Sequence, residues 1–276
     1  MADAPRFIFS DIDGTFIDPD ARVTPRTQEV VARALRSGAH FALATGRPHR
    51  WLAPVLEQLS VRPLCVTANG AILYDSESDH VVASHQLQPE TMARIVGNVM
   101  EVMARYGGVS LAAERAGVSS GADALETLFA VDPTYSPDPV ANGFGVADPT
   151  DLVAAPAVKL LLRNPGFSSA ELYELIAPHV DPEDAHVTYS MDDGLLELAA
   201  PGVTKAAGVA ELARRFGVAQ EDTIAFGDMP NDIEMLRWAG TGVAMGNAAD
   251  IVKRSADRVT ATNRQDGLAQ VLEEWF

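Results

Sequence analysis

The sequence is poor in cysteine, in long apolar runs and in positive charge. Cys65 is the single cysteine among 276 residues, which excludes an intramolecular disulfide and a zinc cluster built on cysteines. No apolar run approaches the ~18 residues that a membrane-spanning helix needs. The first residues lack the basic and apolar regions of a secretory signal, so the sequence predicts a cytoplasmic protein that does not enter a membrane.

Acidic residues outnumber basic ones by 38 to 21, which gives a formal net charge of -17. A surface this acidic disfavours binding to nucleic acid and to anionic membranes. A phosphate-bearing ligand would have to be attracted by a local cation, because the overall field of the protein repels it. The charge therefore favours a small-molecule partner that is bound in a defined site.

Buried strands alternate with helices in the first part of the chain, and the same rhythm returns near its end. Periodicity and turn residues predict strands at 7–9, 39–44, 63–67 and 223–226, with helices at 25–37, 48–59, 203–216 and 230–239. This alternation is typical of an α/β fold, a Rossmann-like doubly wound parallel sheet with helices on both faces.

The rhythm changes in the middle of the chain. A hairpin is predicted from 72–74 and 81–83, followed by a long amphipathic helix at 88–106 and a strand at 157–163. The part from 107 to 155 is rich in Gly, Pro and Asp, and its pattern indicates only short strands near 109–111 and a helix at 122–129. We expect residues 84–192 to form an inserted α+β domain, with 1–83 and 193–276 forming the core domain.

Polar side chains follow several of the predicted core strands. Asp11 and Asp13 follow the first strand, Thr45-Gly46-Arg47 the second, and Asp228 the strand at 223–226. Since the carboxyl ends of parallel strands lie at one edge of the sheet, these groups are expected to share one site. Lys205 begins a helix, where backbone N–H groups also attract anions.

The residue types at these positions suit phosphoryl transfer. Asp11, Asp13 and Asp228 offer hard oxygen ligands of the kind that Mg²⁺ prefers. The Lys205 ammonium and the Thr45 hydroxyl can hold phosphoryl oxygens, and an Asp can act as a nucleophile. The turn at Asn69-Gly70 follows the third strand and is a candidate substrate contact.

Together these segments resemble the four motifs of the haloacid dehalogenase (HAD) superfamily of phosphatases, in the same order along the chain. The segments are Phe-Ser-Asp11-Ile-Asp13-Gly-Thr15, Ala-Thr45-Gly-Arg-Pro48, Lys205 and Gly-Asp228-Met-Pro-Asn231-Asp232. The insertion resembles a type C2B cap, which implies the Cof-type subfamily (IIB) of Mg²⁺-dependent sugar-phosphate phosphatases.

The resemblance also implies a role for each matching residue. Asp11 resembles the nucleophile that forms an aspartyl-phosphate, and Asp13 the general acid that later acts as base. The Asp13 backbone carbonyl, with the carboxylates of Asp11 and Asp228, would bind Mg²⁺. Asp232 would orient Lys205 or act through metal-bound water, Thr45 and Lys205 would hold the substrate phosphate, and Asn231 would contact it. Gly46 and Arg47, which follow the second strand, and Asn69, which follows the third, are further substrate-contact candidates by their place at the sheet edge.

Other functions remain open at this point. A phosphomutase with the same cap type would return the phosphoryl group to the sugar instead of to water. A non-catalytic phosphate-binding regulator could keep the fold without the reaction. A phospho-accepting receiver domain needs only about half this length and no insertion, so it ranks last. The chain is expected to be a monomer or a homodimer.

Overall fold

The computed structural model describes residues 4–121, 125–135 and 143–276. The chain divides into two compact units, one formed by Met1–Val82 with Thr204–Phe276 and the other by Ala83–Val203. Within the described residues, no helix combines the length and the apolar character needed to cross a membrane.

The strands of the described residues are, in chain order, β1 Phe7–Ser10, β2 His40–Ala44, β3 Leu64–Thr67, β4 Ile72–Asp75, β5 His80–Ser84, β6 Ser110–Glu114, β7 Phe129–Val131, β8 Gly145–Val146, β9 Lys159–Arg163, β10 His186–Thr188, β11 Leu195–Ala199, β12 Thr223–Gly227, β13 Thr241–Ala244 and β14 Arg258–Val259. The α-helices are α1 Pro25–Arg36, α2 Ala53–Leu56, α3 Pro89–Met103, α4 Leu125–Leu128, α5 Pro149–Leu152, α6 Ser169–Ile176, α7 Lys205–Arg215, α8 Ile233–Trp238, α9 Asp250–Lys253 and α10 Gly267–Leu272.

An eight-stranded sheet in the order β14-β13-β12-β1-β2-β3-β4-β5 organises the first unit. Strand β1 lies between β12 and β2 and is parallel to both. Parallel pairing extends outward to β14 on one side and to β3 on the other, and β4 then pairs antiparallel with β3. The predicted doubly wound parallel sheet is confirmed. Its carboxyl edge therefore holds the residues that follow β1, β2, β3, β12 and β13.

Local sequence explains why the core elements form where they do. All four residues of β1 are buried, as is typical of a central parallel strand that is covered on both faces. Thr24 caps α1 by accepting a hydrogen bond from the Thr27 N–H, and Pro25 occupies the first helical position. Thr204 caps α7 in the same way, so Lys205 is the first residue of that helix.

The helix predicted at 48–59 is not continuous. A short 3₁₀ turn covers His49–Trp51, and α2 begins only at Ala53. Pro54 lacks the N–H that would continue the first turn, so the α-helix restarts with the proline in its own first turn. The predicted helix at 122–129 is also shorter, since α4 covers Leu125–Leu128 and Phe129 already belongs to β7. Residues 122–124 lie outside the described part.

The second unit contains a six-stranded sheet in the order β10-β11-β9-β6-β7-β8, antiparallel except between β7 and β8. Its core lies between this sheet and the helices α3 and α6, which contribute Met92, Ile95, Leu172 and Ile176. The boundary predicted at 192 differs from the division at Val203, because β11 pairs with β9 inside this second sheet.

Candidate active site

Three buried side chains form an ion-pair cluster at the carboxyl edge of the core sheet, in which Lys205 contacts both Asp11 and Asp232. Lys205 Nζ donates to Asp11 Oδ1 and to Asp232 Oδ1, each at 2.6 Å. The Lys205 side chain is 1% exposed and the Asp232 side chain is fully buried. One ammonium therefore fixes the Asp11 carboxylate at the end of β1 and is itself fixed from behind by Asp232.

Both carboxylate oxygens of Asp232 accept hydrogen bonds that hold this arrangement. Its second oxygen, Oδ2, accepts hydrogen bonds from the backbone N–H groups of Asp228 at 3.0 Å and Met229 at 2.9 Å. Gly227 allows this approach, because a Cβ there would lie 2.5 Å from Asp232 Cβ. With Oδ1 accepting from Lys205 and Oδ2 from two N–H groups, Asp232 orients Lys205 and the Asp228 loop.

Asp228 lies next to the turn that follows β1. Its Oδ1 accepts a hydrogen bond from the Thr15 hydroxyl at 2.9 Å. Gly14 has a φ of +77°, and a Cβ at that position would lie 2.2 Å from Asp228 Oδ2. The turn can approach the carboxylate this closely only because residue 14 is glycine.

The buried charges shift one another's protonation. Burial raises the pKa of the Asp11 carboxyl well above its ordinary value, although Lys205 opposes this shift. Burial, together with the charge of Asp232, raises the pKa of Asp228 to about 7. Burial favours the neutral amine of Lys205, but the carboxylates of Asp11 and Asp232 outweigh it and raise the pKa of the amine.

The carboxylates of Asp11, Asp228 and Asp232 each offer a ligand atom within 4.8 Å of the others. Three carboxyl groups around one ammonium leave an excess of negative charge, which a divalent cation would neutralise. Oxygen donors of this kind suit a hard cation such as Mg²⁺. Because Asp232 already accepts from three donors, Asp11 and Asp228 are the carboxylates that fit the ion.

Asp13 occupies a different environment. Strand β1 ends at Ser10, and Asp13 lies in the turn that follows, where its backbone is extended with φ -79° and ψ 122°. Its carboxylate accepts two hydrogen bonds from the Arg47 guanidinium, one from Nε at 2.7 Å and one from Nη2 at 2.5 Å, which makes a bidentate pair. The Asp13 side chain is 56% exposed, so it lies at the mouth of the site.

The loops after β2 and β3 lie next to each other. Thr45 is buried, its hydroxyl accepts from the Arg47 N–H at 3.1 Å, and its carbonyl accepts from the Asn69 N–H at 3.0 Å. Asn69 adopts a left-handed φ of +58°, and its Oδ1 accepts from Asn231 Nδ2 at 3.0 Å. Gly46 stands between Thr45 and Arg47 in the same loop.

A family model for haloacid dehalogenase-like hydrolases matches residues 8–272. The chain belongs to this family. The predicted resemblance to the HAD superfamily is confirmed, and so is the prediction of an enzyme that is a hydrolase. The match includes both compact units, so the inserted unit is part of the family pattern.

Curated relatives of this HAD-like hydrolase match over nearly its whole length. A 5-amino-6-(5-phospho-D-ribitylamino)uracil phosphatase of Bacillus subtilis is 27% identical over 284 residues, covering 100% of this chain and 99% of the relative. A pyridoxal phosphate phosphatase of Escherichia coli is 28% identical over 274 residues and covers 97% of each chain.

Solved structures share the fold. A haloacid dehalogenase-like hydrolase from Bacteroides thetaiotaomicron has 26% identity and a TM-score of 0.72, with 99% of this chain and 100% of that chain covered. A sugar phosphatase of HAD subclass IIB has 24% identity, a TM-score of 0.76 and 98% coverage of both chains. At that identity the second likeness shows the fold alone.

Two residues that contact Asp228 were not predicted from the sequence as site residues. Thr15 lies inside the first motif, but only its contact with Asp228 gives it a place in the site. Asn247 follows β13, and its side chain also reaches the Asp228 carboxylate. The rule that singled out Asp228, a polar group after a core strand, applies equally to Asn247 and could have found it.

Proposed function

We propose that this HAD-like hydrolase is a Mg²⁺-dependent phosphatase that hydrolyses a small phosphorylated metabolite, such as a sugar phosphate, through an aspartyl-phosphate on Asp11. The observation that carries the proposal is the buried Asp11 carboxylate, held by Lys205 beside Asp228. A carboxylate fixed in this way is poised as a nucleophile, and the cation and the ammonium offset its repulsion of an incoming phosphate.

Asp11 and Asp228 would hold the Mg²⁺, together with the Asp13 backbone carbonyl that the family resemblance implies. When bound, the ion would supply positive charge to the phosphoryl oxygens. Lys205 would hold a phosphoryl oxygen while it keeps Asp11 in place, and the Thr45 hydroxyl would donate to another. Asn231, Asn69 and the backbone at Gly46 are assigned to the substrate side of the site.

The first step forms a bond between an Asp11 carboxylate oxygen and phosphorus and breaks the bond from phosphorus to the leaving oxygen. Asp13 gives its proton to that leaving oxygen. In the second step water attacks phosphorus, its proton passes to the Asp13 carboxylate, and the bond to Asp11 breaks. The two carboxyl groups have separate tasks because one is buried against Lys205 and the other lies exposed at the mouth.

Arg47 pairs with Asp13 in this structure, so it competes with the proton-transfer role. We assign Arg47 a substrate phosphate contact that would draw its guanidinium away from Asp13 when substrate binds. Asp13 would then be released to act on the leaving oxygen. The bidentate geometry seen with a carboxylate is the same geometry that suits a phosphate.

The names of the relatives support the substrate class, since they describe phosphatases for phosphorylated small molecules. We assign the second unit, Ala83–Val203, as the cap predicted from the sequence. A cytoplasmic location and a monomeric or homodimeric state stay predictions.

Phosphate release from a panel of sugar phosphates, pyridoxal phosphate, nucleotides and an aryl phosphate tests the proposal. Each compound is assayed with Mg²⁺ and with chelator, for wild type, Asp11→Asn and the exposed control Asp20→Asn. We expect Mg²⁺-dependent release that is lost in Asp11→Asn and kept in Asp20→Asn. Release that survives in Asp11→Asn would refute the nucleophile, and transfer between sugar hydroxyls without free phosphate would indicate a mutase.

A further inference from the structure

Asn247 joins two parts of the site that come from opposite ends of the chain. It lies in the loop after β13 and is exposed at the carboxyl edge of the sheet. Its Nδ2 donates to the Gly14 carbonyl at 2.8 Å and to Asp228 Oδ2 at 3.3 Å. A side-chain amide carries two hydrogens, so one Asn can make both contacts at once.

These contacts complete the set that fixes the Asp228 carboxylate. Its Oδ1 accepts from Thr15 and its Oδ2 from Asn247, so each oxygen is held from a different direction. The Gly14 turn closes the third side, where a Cβ would lie 2.2 Å from Oδ2. Rotation of this carboxylate would break a hydrogen bond or meet the turn.

The orientation of the Asn247 amide follows from its other partner. Its Oδ1 accepts from the Asn263 N–H at 3.0 Å, and the Asn263 side chain donates to the Ile17 carbonyl at 2.8 Å. A flipped amide would place an oxygen against the Gly14 carbonyl and the Asp228 carboxylate, and an NH₂ against an N–H. Only the orientation with Nδ2 toward Asp228 satisfies all three partners.

We propose that Asn247 is a positioning residue for the cation site: it holds Asp228 and the Gly14 turn in the arrangement that binds Mg²⁺. The proposal rests on the proposed function, because Asp228 is a Mg²⁺ ligand only under that function. Asn247 acts through Asp228 and the Gly14 carbonyl. Partners that fix ligating carboxylates contribute about 10–100-fold to metal affinity or activity.

A purely structural role would give a different result. If Asn247 only ties the β13 loop to the turn after β1, its loss would lower the stability of the metal-free protein and leave Mg²⁺ affinity unchanged. If it positions Asp228, Mg²⁺ affinity falls while the metal-free protein keeps its melting temperature, because Asn247 is exposed and little packing is lost.

The test uses Asn247→Leu, which has a similar shape and no donor, and Asn247→Ala, which adds no bulk. Asn98→Leu changes an exposed Asn on α3 in the second unit and serves as the matched control. Asp228→Asn removes the proposed ligand itself. Mg²⁺ binding is measured by calorimetry without substrate, Mn²⁺ binding by electron paramagnetic resonance, and the melting temperature in chelator.

We expect both Asn247 variants to bind Mg²⁺ about tenfold or more weakly than wild type and the Asn98 control to bind like wild type. At saturating Mg²⁺, KM for an aryl phosphate should return to the wild-type value. Wild-type Mg²⁺ affinity in both Asn247 variants, with or without a lower melting temperature, would overturn the proposal. Absence of Mg²⁺ binding to the wild type would instead refute the proposed function.

Discussion

Replacing Gly14 with Ala separates backbone strain from interference with the cation site. Gly14 has a φ of +77°, and an added Cβ would lie 2.2 Å from Asp228 Oδ2 and 2.7 Å from its Cγ. Gly38 provides the matched control, with a φ of +93° and nothing within 4 Å of the added Cβ. Both substitutions force Ala into a left-handed conformation, but only the first meets a carboxylate.

The expected magnitudes follow from these two terms. A left-handed conformation costs an L-residue about 1–2 kcal/mol, so Gly38→Ala should lower the free energy of unfolding by about that amount. Gly14→Ala carries the same cost and adds about 1–3 kcal/mol for the steric conflict. The steric cost applies because Thr15 and Asn247 hold the Asp228 carboxylate, which therefore cannot move aside freely. The total loss of unfolding free energy for Gly14→Ala is then about 2–5 kcal/mol.

Urea unfolding in chelator measures the stability of both variants, and calorimetry measures their Mg²⁺ affinity. We expect Gly14→Ala to lose Mg²⁺ affinity and phosphate release, and Gly38→Ala to keep both at the wild-type level. Equal losses of stability in the two variants, with unchanged Mg²⁺ binding in Gly14→Ala, would refute the reasoning. That result would mean that the turn and the carboxylate are not in close contact in solution.

Two further predictions concern charge in the site. Lys205→Met should lower the free energy of unfolding by about 3–5 kcal/mol at pH 8, because it leaves buried carboxylates without their cation. This loss of unfolding free energy should be smaller at pH 5.5, because Asp11 can take up a proton there in place of the ion pair. Urea unfolding at both pH values checks this, with Lys253→Met as control. Equal losses at the two pH values would contradict the prediction. The second prediction follows from the pKa of Asp228, which is raised from 3.8 to about 7 in the folded protein without metal. The stabilisation of the metal-free protein that results from this pKa shift is fully present below pH 3.8, and it is lost as the pH rises through about 7. Protons compete with Mg²⁺ at this carboxylate, so the measured Mg²⁺ affinity should fall as the pH drops below about 7 and approach a tenfold loss per pH unit well below that value. Calorimetry that finds the same affinity at pH 6 and pH 8 would rule this out.

Local sequence signals predicted most of the core elements. Thr24 and Pro25 mark the start of α1, and the apolar run at 7–9 marks β1. These signals depend on neighbours along the chain, so they can be read without the tertiary fold. The prediction of one helix at 48–59 was wrong, because Pro54 lacks the N–H that a continuous helix would need there. The division between the units depends on a long-range pairing, that of β11 with β9, which periodicity does not encode.

The sequence by itself determined the kind of site: acidic and hydroxyl groups follow parallel strands, whose carboxyl ends share one edge. The tertiary structure decided which partner each group has. Asp11 shares Lys205 with Asp232, and Asp13 pairs with Arg47, because β1 lies between β12 and β2. Hydrogen bonds form between atoms that are close in space, and residues as distant in the chain as 14, 228 and 247 meet only after the sheet has assembled.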